Sequence, residues 1–373
     1  MNHPTTHRLT RQVLAVGLVA GLTGVAACSS DGDSEALDAT TTEREETTTT
    51  ERRRETSTTA ERTTTTPAPT TTTTAVPVAP LTGLPIGNPL LFFRPALAVK
   101  FDNHRTARPH AGLNQADIVY EEIVEANITR FFAIFHSTDA APIGPIRSAR
   151  TTDVDLLNQL NRPLFAWSGG NANVVRAIGN ANALSRAHGQ APGYYRDSER
   201  RRRADLEHTL MNEGTQALWS TTEPGQGAPP ALFAYRKAGT AVSGTPATRI
   251  AMQLRSVPIE WVWDAASKSY VRAEYGDPHT DATGAPISAQ NIVVQFVEYR
   301  SSPADRRSPE AVTVGQGAAW IFTDGKIIPG FWQRTDPGQP AKFADAKGKP
   351  IQLTPGRTWV ELAEANISPV LFT

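Results

Sequence analysis

Residues 94–155 read RPALAVKFDNHRTARPHAGLNQADIVYEEIVEANITRFFAIFHSTDAAPIGPIRSARTTDVD, and the fold turns on how this stretch is divided. Apolar runs (ALAVKF, ADIVY, RFFAIF) alternate with tight clusters of Asp, Asn, Glu, Arg and His. Charges set among apolar strands are costly unless they pair, bind something or face water. The stretch is therefore the expected functional face. Residues 96–104 read as a buried strand with a polar tip, followed by an irregular loop at 105–112, the kind of place where binding groups sit. Residues 118–125 and 128–136 flank Ala126-Asn127, which predicts two antiparallel strands. On the first, Val119, Glu121, Ile123 and Glu125 share a face opposite Tyr120, Glu122 and Val124. On the second, Arg130, Phe132, Ile134 and His136 share one. A helix over 116–126 is the alternative. In a strand Glu121 and Glu125 lie roughly 13 Å apart, whereas in a helix they are neighbours at about 6 Å. Only the helix makes a carboxylate pair within one element.

Working outward, Pro142 to Arg150 form a rigid turn carrying Arg147 and Arg150, which feeds TTDVDLLNQLN. Thr152 and Asp155 have capping-box spacing, with Leu156, Leu157 and Leu160 as the apolar side. Arg147, Ser148 and Arg150 thus stand at an expected helix N-terminus, a place suited to an anion. Pairing of both arginines with Glu121, Glu122 or Asp153 inside the fold is the equal alternative. The candidate polar site is Asp102, Asn103, Arg105, Glu121, Glu122, Arg130, Arg147, Ser148 and Arg150, with no catalytic residue assigned among them.

Further on, residues 163–171 predict a buried strand running into a glycine turn, and residues 172–183 a helix. No Gly-Lys-Ser/Thr follows, so these glycines do not form a phosphate loop. Arg200 to Arg203 are bracketed by Glu199 and Asp205, which favours a solvated surface helix. His208 has no second histidine at metal-ligand spacing, and the 8 histidines are scattered, so neither a metal site nor a cofactor is expected. A Pro/Gly/Ala-rich segment at 223–244 is a candidate boundary. Beyond it come hairpins: Trp261-Val-Trp263 with Tyr270-Val-Arg272, and Trp320-Ile-Phe322 with Lys326-Ile-Ile across Asp324-Gly325. Their aromatics are expected in the core rather than stacked on sugars. The fold class is α+β, with a layered sheet-and-helix part at 81–222 and a mostly β, hairpin-rich part at 245–365.

Global composition adds the setting. The chain has 373 residues, 37 basic and 37 acidic side chains and no formal net charge, which gives no reason to expect a nucleic acid. Arg8 and Arg11 precede an apolar run at 13–27 that is short of the roughly 20 residues a membrane helix needs. That is the design of a secretory signal. Val25-Ala26-Ala27-Cys28 is similar to a bacterial lipobox, and Cys28 is the only cysteine. Residues 1–28 are thus expected to be a lipoprotein signal peptide, with Cys28 lipidated and the mature chain held on the outer face of the cytoplasmic membrane. No thiol then remains for a disulfide or for catalysis. Residues 29–80, rich in Thr with interspersed Glu and Arg, cannot bury enough apolar surface to offset chain entropy and are expected to be a disordered tether. As a flexible coil it holds the folded part on the order of 40 Å from the membrane.

The segments FDNHRTARPHAGLNQADIVYEEIVEANITRFFAIFHS, IGPIRSARTTDVDLL, AWSGGN, YYRDSERRR, NIVVQF, VGQGAAWIFTDGKIIPGFWQR and LTPGRTWVEL resemble the YerB-like bacterial lipoproteins. The resemblance covers roughly 81–362 and is most specific at 98–157. It implies an outer-surface lipoprotein with an α+β N-terminal part and a separate C-terminal part of unknown function, and brings no activity, cofactor or catalytic residue. A family-like Pro-His-Asn-Leu-Tyr segment stands here as Glu207-His208-Thr209-Leu210-Met211, keeping only the histidine and the leucine. Three functions remain open: a binding or scaffolding lipoprotein that recognises a wall component or envelope protein; a wall-directed hydrolase or transferase with Glu or Asp acid–base groups and arginines on the anion; and a purely structural charge network.

Overall fold

The computed structural model describes residues Pro77–Thr373. The segments expected to be a signal peptide (1–28, with Cys28 as the lipidation site) and a tether (29–80) lie wholly or almost wholly outside the described residues. Val78 bridges to Pro85 and Ala79 is buried, so packing begins just ahead of Leu81.

The described residues form a mixed, β-rich fold around one large sheet. Its first strands are β1 (Leu97–Asp102), β2 (Ile118–Ile123) and β3 (Thr129–Phe135), followed by helix α1 (Thr152–Asn158), β4 (Leu164–Ala166), helix α2 (Ala172–Gly179) and β5 (Leu184–Ser185). Then come β6 (Arg249–Leu254), β7 (Val257–Asp264), β8 (Ser269–Glu274), β9 (Asn291–Val297), β10 (Gly315–Thr323), β11 (Lys326–Arg334), β12 (Lys342–Asp345), β13 (Thr358–Glu364) and β14 (Val370–Phe372). The large sheet runs β12-β11-β10-β9-β13-β2-β3-β1-β4-β5, and a second sheet is built on β8-β7-β6-β14. Strand β13 lies parallel to both β9 and β2, with Glu121 opposite Glu361. Strands from both sides of the 223–244 segment therefore share one sheet and one core.

Two hydrophobic layers explain why the central strands read as unbroken apolar runs, since both faces of the large sheet are covered. One face presents Leu97, Val99, Phe101, Val119, Phe131 and Phe135 to the second sheet, where Ile250, Leu254, Ile259 and Trp261 meet them. The other face presents Ala98, Tyr120, Phe132, Ile134 and Val360 to Leu156 and Leu157 of α1 and Val174 and Ile178 of α2.

The hairpin expected at 118–136 is present: β2 and β3 are antiparallel across a short 3-10 turn at Glu125–Asn127, and the helical alternative is not adopted. Both C-terminal hairpins form as expected, the second turning at Asp324 and Gly325 with positive φ at both. Trp261, Trp332, Trp359 and Tyr270 are buried, as expected for core aromatics, whereas Phe331 is 58% exposed. Three local expectations change. Helix α1 starts at Thr152, which rules out a Thr152 cap; instead the Asp153 carboxylate accepts from the Arg150 N–H at 2.7 Å, and Thr152 Oγ1 accepts from the Ala311 N–H. Helix α2 stops at Gly179, capped at its start by the Asn171 side chain. The arginine run is not wholly solvated. Arg200 is buried and donates to the carbonyls of Ala107 (2.7 Å) and Pro109, tying a four-residue helix to the loop after β1.

Candidate functional site

Strand alternation sorts the charged residues of 94–155 onto two faces of the large sheet. On the face toward the second sheet, Glu121 accepts from Arg272 (2.7 Å) and from Thr129 (2.6 Å). Arg272 is fully buried and also pairs with Glu274, which in turn binds Arg108 and the Asn103 amide. Arg272 Nη1 donates to His279 Nδ1 (2.8 Å), His279 faces His110 Nδ1 through Nε2 (2.9 Å), and His110 Nε2 meets the Asp102 carbonyl (2.6 Å). These partners assign one N–H to each ring, Nε2–H on both, so both histidines are neutral. Burial pushes His110 down to about 4 and His279 well below its ordinary value, with the Arg272 guanidinium adding to the latter. Glu361, beside Glu121 in register, is pushed well above the carboxylate range by burial and by the Glu121 charge. Apart from Arg108 at its edge this network is buried, so Glu121 and Asn103 hold the two sheets together and reach no substrate.

On the opposite face, Lys100 pairs with Glu122 and with Asp153 (2.7 Å), all three buried. This takes the two acids that were candidate partners for the arginines. Arg105 is exposed and lies over the Tyr275 ring at 4.6 Å. Glu122 and Arg105 thus also fall outside the site.

Asp102, Arg130, Arg147 and Arg150 do come together. They line an open cleft of about 740 Å³ at the end of β1 and β3, joined by His104, Glu125, Asp205, Glu207, His208 and Arg307. Asp102 and Arg130 are register partners across β1 and β3. The 142–150 turn runs beside β1, with the Arg147 N–H on the Lys100 carbonyl at 2.8 Å, and so presents Arg147 at the cleft. Ser148 contributes its carbonyl, which accepts from Arg130 Nη1 at 3.0 Å. Arg150 is engaged by Glu125 through Nε (2.9 Å) and Nη2 (2.5 Å). Burial raises the Glu125 carboxyl, but Arg150 and Ser308 outweigh it and bring it to about 2.

Asp102 is the hub. Its Oδ2 meets His208 Nδ1 at 2.6 Å and lies 3.2 Å from Arg147 Nε, while Oδ1 accepts the His104 N–H at 3.0 Å. Burial opposes ionisation, yet the His208 hydrogen bond and the Arg130 charge, with help from His104 and Arg147, hold the carboxyl below its usual range. Arg130 is the least satisfied group: 6% exposed, with no hydrogen-bond partner for Nε and no carboxylate paired to it among the described residues. Burial, with the Arg150 and Arg147 charges and against the opposing pull of Asp102 and Glu125, brings it down to about 10. Ligand atoms of Asp205, Glu207 and His208 lie within 4.8 Å of one another, close enough to share a cation. Arg147 Nη2, 3.9 Å from Glu207, already supplies positive charge there.

His208, Glu125, Glu207 and His104 line the cleft but were not among the residues the sequence marked as candidates. The signal for His208 was its retention in the family-like 207–211 segment, but its partner stands 106 positions away and no spacing rule links the two.

Residues 81–224 match the family model described as "Protein of unknown function (DUF3048) N-terminal domain", and residues 248–360 match its C-terminal counterpart. A protein of Bacillus subtilis (strain 168) named "Putative lipoprotein YerB" is 31% identical over 288 residues, 72% of this chain and 81% of the relative. The chain belongs to this YerB-like, DUF3048 family. The crystal structure of YerB from Bacillus subtilis superposes with a TM-score of 0.66 at 24% identity, covering 79% of this chain and 99% of the other, and so shares the fold. The family descriptions assign no activity, which leaves function to the chemistry of the cleft.

Proposed function

We propose that this protein is a lipid-anchored lipoprotein of the cell envelope that binds an anionic envelope ligand in the cleft between Asp102, Arg130 and Arg147. The observation that carries this is Arg130. A guanidinium taken almost wholly out of water costs several kcal/mol unless a counter-charge compensates it. Arg130 has a carbonyl on Nη1, an unpartnered Nε, two neighbouring arginines that repel it, and Asp102 and Glu125 that attract it without a direct ion pair. A ligand carboxylate or phosphate entering the cleft supplies the direct anionic partner that Arg130 lacks, and Arg147, 23% exposed and shared with Asp102 and Glu207, adds a second guanidinium from the rim. A wall-directed enzyme using Glu121 or Glu122 has no support, since both are enclosed in ion pairs.

The anchor rests on the signal sequence, on Cys28 at the lipobox position and on the lipoprotein name of the Bacillus relative. Replacing Cys28 with Ala is expected to move the protein from the membrane fraction to the soluble one; retention in the membrane would refute the lipid anchor. For the cleft, the full chain is titrated calorimetrically with inorganic phosphate, with acetate, and with purified bacterial wall polymer. Arg130→Ala is expected to weaken binding about 10- to 100-fold, the worth of a charge-assisted hydrogen-bond pair. Arg130→Lys keeps the charge and is expected to retain part of the affinity. No binding by the wild type, or equal binding by Arg130→Ala, would overturn the proposal.

A further inference from the structure

The cleft contains more than arginines. His208 is 6% exposed and lines the cleft, and its Nδ1 is held by Asp102 Oδ2 at 2.6 Å. With Asp102 ionised, Nδ1 carries the proton and donates it, so the lone pair sits on Nε2. That nitrogen has no hydrogen-bond partner among the described residues, unlike the two nitrogens of His110 on the other face. The ring is also fixed in plane: His104 stacks on it with centroids 4.4 Å apart and planes 9° from parallel. The Asp102 carboxylate is itself tied by the His104 N–H. An imidazole oriented by a buried carboxylate, with one nitrogen free in the cleft that Arg130 and Arg147 line, is the arrangement of a general base next to an anion site.

We propose that the cleft hydrolyses phosphate esters, with His208 as the general base. This rests on the anion-binding role argued above and names the substrate class. Phosphate suits the site better than carboxylate because Arg130 approaches from the cleft floor and Arg147 from its rim, and a tetrahedral anion has oxygens to offer both. With the phosphoryl oxygens on the two guanidiniums, a water beside Nε2 attacks phosphorus. Its O–H bond breaks, the proton passes to Nε2 and the new P–O bond forms as the ester P–O bond breaks. The departing alkoxide takes a proton from solvent on the opposite, open side of the cleft, and the imidazolium, stabilised by Asp102, gives its proton back to solvent. Ester and water become phosphate and alcohol, with no co-reactant.

The test uses the full chain with p-nitrophenyl phosphate and bis(p-nitrophenyl) phosphate, which separate monoester from diester chemistry, and with inorganic phosphate as the binding probe. Turnover of one ester is expected. His208→Asn, whose amide takes the Nδ1 position and keeps Asp102 partnered, is expected to lose turnover about 10²-fold or more while phosphate binding stays within a few-fold. His208→Ala leaves a ring-sized space, and added imidazole is expected to restore part of its turnover, a rescue that a structural histidine would not show. Phosphate binding by the wild type without turnover of either ester overturns the base while leaving the anion site standing. Failure to bind phosphate overturns the substrate class, and failure to bind any of the anions overturns the anion site itself. Turnover undiminished in His208→Asn also overturns the assignment.

Discussion

Arg272→Met is expected to be among the most damaging single substitutions in the molecule, and the reason lies between the two sheets. Arg272 is fully buried, with Glu121 at 2.7 Å, Glu274 in contact and His279 Nδ1 at 2.8 Å. At an effective dielectric constant of about 20, one such pair is worth about 6 kcal/mol of attraction before desolvation. Methionine fills much of the volume but leaves Glu121 with only the Thr129 hydroxyl and the Trp359 indole N–H, while Glu274 keeps Arg108. Breaking a buried pair from one side costs about 3–5 kcal/mol, because the stranded carboxylate must stay charged in the core or take up a proton. With an m-value of about 3 kcal/mol/M, a loss of about 4 kcal/mol lowers the urea midpoint by roughly 1.3 M. Trp359 and Trp261, two of the 7 tryptophans, lie 5.2 and 5.7 Å from the guanidinium, so intrinsic fluorescence follows the transition with a contribution from the site. The deficit shrinks as pH falls from 7 toward 4.5, since a protonated Glu121 needs no counter-charge. Combining Arg272→Met with Glu121→Gln and Glu274→Gln is expected to recover much of the loss. A single-variant cost below about 1 kcal/mol, or a triple variant no more stable than the single, would refute the reasoning.

On the other face, Lys100→Met strands Glu122 and Asp153 together and is expected to cost about 3–5 kcal/mol in the same assay; a value near zero would mean that the two acids do not carry charge in the fold. His110 is held at about 4 in the folded state against about 6.5 unfolded, so the unfolded chain binds the extra proton. Stability is therefore full above pH 6.5 and falls as pH drops toward 4, by roughly 3 kcal/mol from this residue. Urea titrations across that range measure it, and a flat profile would contradict neutral buried histidines. Glu125 has the usual sign for a paired carboxylate. Its folded value of about 2 lies below its unfolded one, so its contribution is present above about pH 4.5 and is lost as pH falls toward 2. Arg150→Ala is expected to bring the Glu125 carboxyl back toward 4 in an NMR titration; a value still near 2 would assign the shift to Ser308 rather than to Arg150.

Much of the strand framework was legible because it is local. Period-two alternation and a two-residue turn were enough to place β2 and β3, and Asp324-Gly325 marked its hairpin for the same reason: the φ values such a turn needs are met cheaply by those residues. The same alternation separated Glu121 from Glu122, since adjacent residues on a strand point to opposite faces. Helix ends were less legible. The Thr152–Asp155 spacing suggested a cap, but the helix begins with no side-chain cap, and Asp153, held by Lys100, instead accepts from the Arg150 N–H just ahead of it.

Burial and partnership were decided only by the tertiary structure. Nothing in the sequence says that β13, more than 200 residues after β2, lies beside it, or that β7 and β8 cover Glu121 with Arg272 while the neighbouring end of β1 stays open. Of the nine candidates, Asn103 and Glu121 therefore went to a buried network, Glu122 to a second buried cluster and Arg105 to the surface. Asp102, Arg130, Arg147 and Arg150 went to the cleft with Ser148 beside Arg130, while His208 joined Asp102 across 106 positions. The sequence by itself determined which segments form strands and that charge is concentrated at their ends, because backbone geometry and side-chain period act over a few residues. Whether a given charge is neutralised inside the protein or left for a ligand depends on which distant strand packs above it, and only the assembled sheets determine that.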